Sequence, residues 1–197
     1  MKSAEDLKRR AEITFKARAN AERRVRITGR SWSYALVFSS TLVLIGSILA
    51  IQDPELFSPL TPSLLAAASA LVLIQSVVVS RTDYDGRAKL LKESFIACKG
   101  IASQLELLIE SPGGTSAERV ADLESDYARA QSGSENHEGR DYSRVLTENP
   151  RLRLEHDNTV RAIATHRFRV AVSMPGPYLP WLMPLAILGA GVLGLAA

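Results

Sequence analysis

Two long uncharged runs joined by a short link constrain the fold of this chain most strongly. The runs extend from Ser31 to Gln52 and from Phe57 to Ser80, and the link between them carries Asp53 and Glu55. A helix of about twenty residues, rising about 1.5 Å per residue, crosses a hydrocarbon core of about 30 Å. The sequence therefore predicts two transmembrane helices, residues 31–52 and 57–80, that form a hairpin with its turn outside the lipid.

A third uncharged run, Val170 to Ala197, predicts a further membrane helix over residues 174–197. Its first half contains four prolines, at Pro175, Pro177, Pro180 and Pro184. Prolines are tolerated early in a helix and kink it later, so the segment either spans the bilayer or enters and turns back. The mean hydropathy of +0.02 for the whole chain conceals all three runs, because strongly charged stretches alternate with them.

The distribution of lysine and arginine predicts the orientation in the membrane. Residues 1–30, which we expect to form a basic cytoplasmic helix, hold a cluster of these cations, and the link between the two runs holds none. Arg81 and Arg87 follow the second run, and Arg167 and Arg169 precede the third. Because positive flanks stay inside, we expect a cytoplasmic amino terminus, a link outside and an external carboxyl terminus.

A heptad pattern begins directly after the second run. Apolar or small residues recur at alternating spacings of three and four, as in a helix that packs along a seam. These positions are Tyr84, Ala88, Leu91, Phe95, Cys98, Ala102, Leu105 and Ile109. Because no proline intervenes, the pattern predicts one helix of about 45 residues that continues from the lipid into the cytoplasm. The seam lies either within a bundle of this chain or between subunits, and the sequence does not decide between them.

The other residues of the stretch 81–169 predict a cytoplasmic helical domain. Pro112 and the following glycines end the seam helix, and Thr115 with Glu118 resembles a capping box that starts the next one. A polar loop then precedes a helix that ends near Asn149, and a basic helix leads to the third run. No segment alternates as a strand does, so the fold class is an all-α membrane protein.

Small polar residues recur within the two predicted spans. Candidates for lining a pore or packing the spans are Ser33, Ser40, Ser47, Ser69, Gln75, Ser76 and Ser80. Small hydroxyl residues let helices approach closely in lipid, so close packing is the first explanation of the pattern, and a water-facing stripe in an oligomer is the functional alternative. No charged side chain falls within either span, which disfavours a proton relay or an ion-coupled transporter.

Enzyme chemistry finds no support in the sequence. His137, His156 and His166 do not form a metal-binding spacing with one another or with Cys98, and no phosphate-binding loop or nucleophile motif is present. We therefore expect no enzyme activity, no metal and no cofactor, and a structural rather than catalytic Cys98. The net charge of +3 comes from basic residues at the membrane flanks, which favours lipid head groups over nucleic acid as partners.

Several local patterns together resemble a known family. They are Ala21 to Arg24 in a basic helix, Ser31 to Ala35 at the start of a span, and Tyr127 followed by Asn136, His137 and Asp141. Over about residues 5–147 the chain is similar to the SLATT group, the SMODS- and SLOG-associating two-transmembrane effector domains. The third run would be an added C-terminal membrane segment.

The resemblance implies a membrane effector of a prokaryotic conflict or antiphage system. Such a protein would be a homo-oligomer that forms a pore or channel and disrupts the inner membrane when triggered. A nucleotide signal or a sensor protein would have to be supplied in trans. The alternative is a non-conducting membrane scaffold that recruits a cytoplasmic partner through its helical domain.

Overall fold

Most of the described residues of the chain are helical, and short turns and links join the helices. The computed structural model describes residues 2–53, 59–111, 116–136, 138–149, 164–165, 168 and 177–196. Its helices are α1 (Lys2–Gln52), α2 (Thr61–Thr82), α3 (Tyr84–Glu110), α4 (Ala117–Ser132), α5 (Gly139–Glu148) and α6 (Leu182–Ala196), with a 3₁₀ turn at Leu179–Trp181. These described residues contain no strand, so the all-α prediction is confirmed.

The chain divides into two compact units. The helical domain comprises Met1–Arg26 and Asp85–Met174, and the hairpin unit comprises Ile27–Tyr84 and Pro175–Ala197. Helix α1 belongs to both, because its 51 residues run through the boundary without interruption. The predicted basic helix and the predicted first span are thus two parts of one helix.

The helical domain packs three helices around an apolar core. The first part of α1 contributes Ala4, Leu7 and Ala11, at the spacing of three and four residues that keeps side chains on one helix face. The face of α3 that meets them consists of Cys98, Ile101, Ala102 and Leu105, and α4 adds Val120, Leu123 and Tyr127. A smaller cluster joins Ala17 of α1 to Val145 and Leu146 of α5.

Among the described residues, two helices are long and apolar enough to cross a membrane, α1 and the helix that begins at Thr61. Only 11% of the apolar window of each is buried, so neither resembles the core helix of a soluble protein. They pack closely within the hairpin unit. A Cβ atom on Gly29 would lie 2.5 Å from Tyr84 Cβ, and one on Gly46 would lie 3.1 Å from a methyl carbon of Leu65.

The C-terminal segment packs against both helices of the hairpin. The indole nitrogen of Trp181 donates to Ser31 Oγ at 3.0 Å, and the rings of Trp181 and Phe38 lie 6.0 Å apart. Ser31 itself donates to the carbonyl of Pro177, and α6 contacts α2. Helix α6 has 15 residues, so it is about 22 Å long at 1.5 Å per residue. It begins later than the predicted segment 174–197, and residues 174–176 lie outside the described part.

The predicted continuous helix from the second span into the helical domain is present but is interrupted at one residue. Asp83 has φ 43° and ψ 55°, in the left-handed region, and it separates α2 from α3. A side chain with a Cβ atom costs about 1–2 kcal/mol in that conformation, although aspartate tolerates it better than most. The close approach of Tyr84 to Gly29 lies beside this break, and periodicity within one segment contains no information about such a tertiary contact.

The predicted start of the helix after Pro112 is also corrected. Helix α4 has Ser116 as its N-cap, with the hydroxyl accepting from the amide of Arg119, so the cap is one residue later than Thr115. Helix α5 follows Glu138, and Asn136 is an exposed residue outside it. The predicted basic helix at residues 152–169 and the link residues 54–58 lie largely or wholly outside the described residues.

Alanine substitutions at two helical glycines should change the stability of the protein in opposite directions. Gly29→Ala should lower the melting temperature, because the new methyl group collides with the rigid Cβ of Tyr84, and overpacking costs about 1–3 kcal/mol. Gly100→Ala should raise it, because nothing lies within 4 Å and alanine favours a helix by up to about 1 kcal/mol. Thermal unfolding in detergent micelles, followed by circular dichroism, measures both. Equal responses would contradict the close crossing at Gly29.

Candidate functional site

Two groups of polar residues remain to be explained chemically, one in each unit. The hairpin unit contains hydroxyl and amide side chains within its apolar helices. The helical domain contains a cluster of arginines and carboxylates. Each group is built from residues of its own unit.

The predicted serines mostly lie on the outside of the hairpin. Ser33, Ser40, Ser69, Ser76 and Ser80 are exposed and Ser47 is half-buried. The hydroxyls of Ser40, Ser47 and Ser69 each donate, at 2.8 Å, to the carbonyl four residues earlier in their own helix. This bond uses the hydrogen and leaves the oxygen lone pairs as acceptors.

Helix geometry places these serines on one side of the hairpin. The inner faces of the two helices are marked by the buried residues Ala35 and Ser39 of α1, and Ala68 and Gln75 of α2. At about 100° per residue, both serine rows are rotated from these faces in the same sense by about a third of a turn. Because the helices are antiparallel, equal rotations bring both rows to the same side. We call these outward-facing serines the hydroxyl stripe.

Gln75 differs from the serines because it is buried. Only 3% of its surface is exposed, and neither its Nε2 nor its Oε1 has a partner among the described residues. Ser39, which the sequence interpretation did not select, is fully buried and its Oγ likewise lacks a described partner. The sequence pattern that could have indicated the burial of Ser39 is a series of small residues on one helix face. The series is Ala35, Ser39 and Gly46, with spacings of four and seven residues.

The helical domain contains a network of ion pairs, which we call the charged clasp: Arg24, Arg87, Glu135, Glu138 and Asp141. Arg24 of α1 donates twice to Asp141, from Nε at 3.2 Å and from Nη2 at 3.0 Å, and its Nη1 lies 3.0 Å from Glu138. Arg87 of α3 makes the same kind of paired contact with Glu135, at 3.0 and 3.1 Å. The segment between α4 and α5 thus holds both α1 and α3, and each arginine lies within a turn of the hairpin unit.

Asp141 has two roles in the clasp. Besides pairing with Arg24, it accepts from the backbone amide of Glu138 at 3.1 Å, which closes the first turn of α5. The side chain is almost fully buried, whereas the pair of Arg87 with Glu135 is half-exposed. Pairs that are freely solvated contribute little, so the contact between Arg24 and Asp141 is the stronger of the two.

The charges of the clasp also act on Glu138. Burial alone would raise the pKa of this carboxyl group, but a hydrogen bond from Arg140 and the positive charges of Arg24, Arg140 and Arg87 outweigh it and lower the pKa. For Arg24, burial opposes the charged form, but the hydrogen bond and charge of Asp141 raise its pKa. Both shifts favour the charged forms of Arg24 and Glu138 near neutral pH.

The burial of Arg18 was not predicted from the sequence. Arg18 is 1% exposed, and its Nη1 donates to the carbonyl of Ala130 at 3.0 Å and to Ser134 Oγ at 2.9 Å. Nη2 donates to the carbonyl of Gln131 at 2.9 Å, and Nη1 also bonds Ser94. These carbonyls belong to the last turn of α4, where a cation is favoured by the helix dipole.

The residues of the predicted seam form the core of this chain. Ala88, Leu91, Cys98, Ala102 and Leu105 are buried, and Phe95 and Ile109 are partly buried. Tyr84 instead contacts Gly29 in the hairpin unit. Of the two alternatives left open by the sequence, packing within the chain accounts for the buried positions. Burial raises the pKa of the Cys98 thiol, while the charge of Arg18 and a hydrogen bond with Ser94 oppose this shift.

The residues that suggested the family have structural roles where they are described. The Tyr127 hydroxyl and Thr14 Oγ1 of α1 are hydrogen-bonded at 2.7 Å, and Asp141 closes α5 and binds Arg24. His137 lies outside the described residues. Within the described part of the chain, no three His, Cys, Asp or Glu side chains come together as a metal site.

The fold defines the class of protein as a helical membrane protein with two spans and an attached helical domain. The pattern of the family described as SMODS and SLOG-associating 2TM effector domain family 5 matches residues 1–190. The chain belongs to this SLATT family. The match extends well beyond residue 147 and takes in most of the C-terminal segment, which is thus part of the family pattern. No curated protein and no solved structure matches the chain.

The two carboxylates of the clasp should differ in their effect on stability. Asp141→Asn removes the better buried of the two carboxylates that face Arg24 and weakens the closure of α5, so we expect a loss of about 1–3 kcal/mol in the free energy of unfolding. Glu135→Gln affects a half-exposed pair and should cost less than about 1 kcal/mol. Unfolding by denaturant in micelles measures both values, and an equal loss would be evidence against the buried pair as the main contact.

The lowered pKa of Glu138 predicts a pH dependence. A carboxyl group whose pKa is lowered by folding stabilises the protein above its unfolded value of 4.5, and that stabilisation disappears as the pH falls through the folded value. The melting temperature of Glu138→Gln should therefore lie below that of the wild type at pH 7, and the two should converge at acidic pH. A difference that persists at low pH would show that Glu138 acts by packing, not by charge.

Proposed function

We propose that this protein is a membrane effector of a prokaryotic conflict system that assembles into a pore or channel and, when triggered, disrupts the inner membrane. Its amino terminus and helical domain lie in the cytoplasm, and the carboxyl terminus lies outside. The observation that carries the proposal is the hydroxyl stripe. Two spans cannot enclose a conduit, so the residues that line one must face outward from the single chain, as these serines do.

The position of the C-terminal segment, on the opposite side of the hairpin, also supports assembly through the hydroxyl stripe. The contacts of Trp181 with Ser31 and Phe38 place the C-terminal segment on the side away from the hydroxyl stripe. A neighbouring subunit could therefore approach the stripe without displacing this segment. Small side chains such as those of Ser40 and Ser69 permit close helix contact, and their oxygens can accept from water or from a facing helix.

The trigger would act through the helical domain. Arg24 belongs to the uninterrupted helix α1, which continues into the first span, whereas α3 is separated from the second span by Asp83. We therefore place the mechanical coupling in α1 and not in the seam helix. A signal supplied in trans that loosens the charged clasp would free α1 at its last turn before Ile27.

A pair of adjacent residues tests the pore. Ser40 and Thr41 are both exposed, and each hydroxyl donates to the carbonyl four residues earlier, but only Ser40 belongs to the hydroxyl stripe. Membrane potential is recorded with a voltage-sensitive dye in bacteria that express the chain together with its trigger, or at high level alone. Ser40→Leu should reduce the depolarisation severalfold, and Thr41→Leu should leave it near the wild-type value.

Other outcomes of this experiment are equally informative. If both leucine variants depolarise as the wild type does, the stripe does not line the conduit. If the intact chain never depolarises the membrane even with its trigger supplied, the alternative of a non-conducting anchor is favoured, and replacing its spans with polyleucine should then preserve its function. Western blotting of membrane fractions checks that all variants accumulate equally.

A further inference from the structure

The hairpin unit contains three buried polar atoms that have no described partner. They are Nε2 and Oε1 of Gln75 and Oγ of Ser39. Their residues are 3% and 0% exposed, so lipid and neighbouring chains do not reach them in this arrangement. Other serines in the spans, such as Ser40 and Ser69, satisfy their hydrogens with a carbonyl of their own helix.

These atoms lie at nearly the same depth in the hairpin. Gly46 lies beside Leu65 of α2, and Gly29 lies beside Tyr84, the first residue of α3, so α1 has one known contact on each side of Gln75 in the sequence. Interpolating between them places Gln75 beside residues 36–38 of α1, about 2 to 5 Å along the helix axis from Ser39. Both side chains are on the inner faces of their helices, together with Ala35 and Ala68.

Leaving such groups unpaired is costly. An amide or hydroxyl transferred from water into apolar surroundings without a hydrogen bond costs about 2–7 kcal/mol. Two residues at one level, each with donor and acceptor capacity, match the two to four polar partners that a buried water molecule requires. No charged side chain lies in residues 31–52 or 61–80, so an ion would have no counter-charge there.

We propose that Gln75 and Ser39 form a water-binding site inside the membrane hairpin. The ligand is water, held between the amide of α2 and the hydroxyl of α1. This site is separate from the hydroxyl stripe and does not depend on conduction. A water-mediated contact lets the two helices shift relative to each other without leaving buried polar groups unpaired, because water exchanges its partners readily.

Solid-state NMR of the full chain in proteoliposomes tests the site directly. The protein is labelled with ¹⁵N-glutamine, and magnetisation transferred from water to the side-chain amides is recorded. Gln104, which is exposed in the helical domain, provides the positive control, and Gln75→Leu assigns the Gln75 signal. We expect transfer to Gln75 on the same time scale as to Gln104. Absence of transfer to Gln75 while Gln104 responds would overturn the proposal and would indicate a dry site or a partner from another chain.

Two alanine variants make the test specific. Ser39→Ala removes one partner of the bound water and should reduce the transfer to Gln75 by about twofold or more, because a buried water is held by few groups. Ser69→Ala, an exposed serine bonded to its own helix, should leave it unchanged. An equal effect of both variants would contradict the assignment of Ser39. The NMR experiment measures neither current nor membrane potential, so its result is independent of the test of the pore.

Discussion

Helix α1 is the element on which the rest of the structure depends, because it provides the packing surface for both units. Its first half presents Leu7 and Ala11 to the core of the helical domain, and its second half presents Ala35 and Ser39 to the hairpin. The change from a charged to an uncharged outer surface takes place within the one helix, near Arg30. Most of its stability as a helix in each unit comes from the buried face and not from local propensity.

The two units satisfy their buried polar groups by different means. In the helical domain, the Nη atoms of Arg18 use carbonyls at the end of α4 although its Nε has no described partner, and Arg24 uses two carboxylates. In the hairpin, Gln75 and Ser39 have no described protein partner. This difference follows from the available groups, since apolar helices offer neither charges nor free helix ends along their length. The charged clasp therefore fixes α1 in the helical domain, while the hairpin retains a polar site that water can fill.

Much of the fold is readable in the sequence because it depends on local patterns. Uncharged runs of sufficient length predict the two apolar helices, and the seam from Ala88 to Leu105 is a buried helix face as the heptad pattern indicates. The end of α3 at Glu110 and of α5 at Glu148 also agree with the prolines and polar residues that follow. The break at Asp83 was not predictable in this way, because no proline or glycine occupies it and a left-handed aspartate is fixed by its surroundings.

The sequence by itself determined which segments are apolar enough for lipid and which face the seam helix buries, since both follow from the order of apolar and charged residues. Only the tertiary structure decided which polar residues are buried and which groups they bind. It turned Ser40 outward and Ser39 inward, although they are neighbours, and it joined Arg24 to Asp141 across more than a hundred residues of sequence. The physical reason is that hydropathy is a property of one segment, whereas the partner of a polar group depends on how segments are brought together.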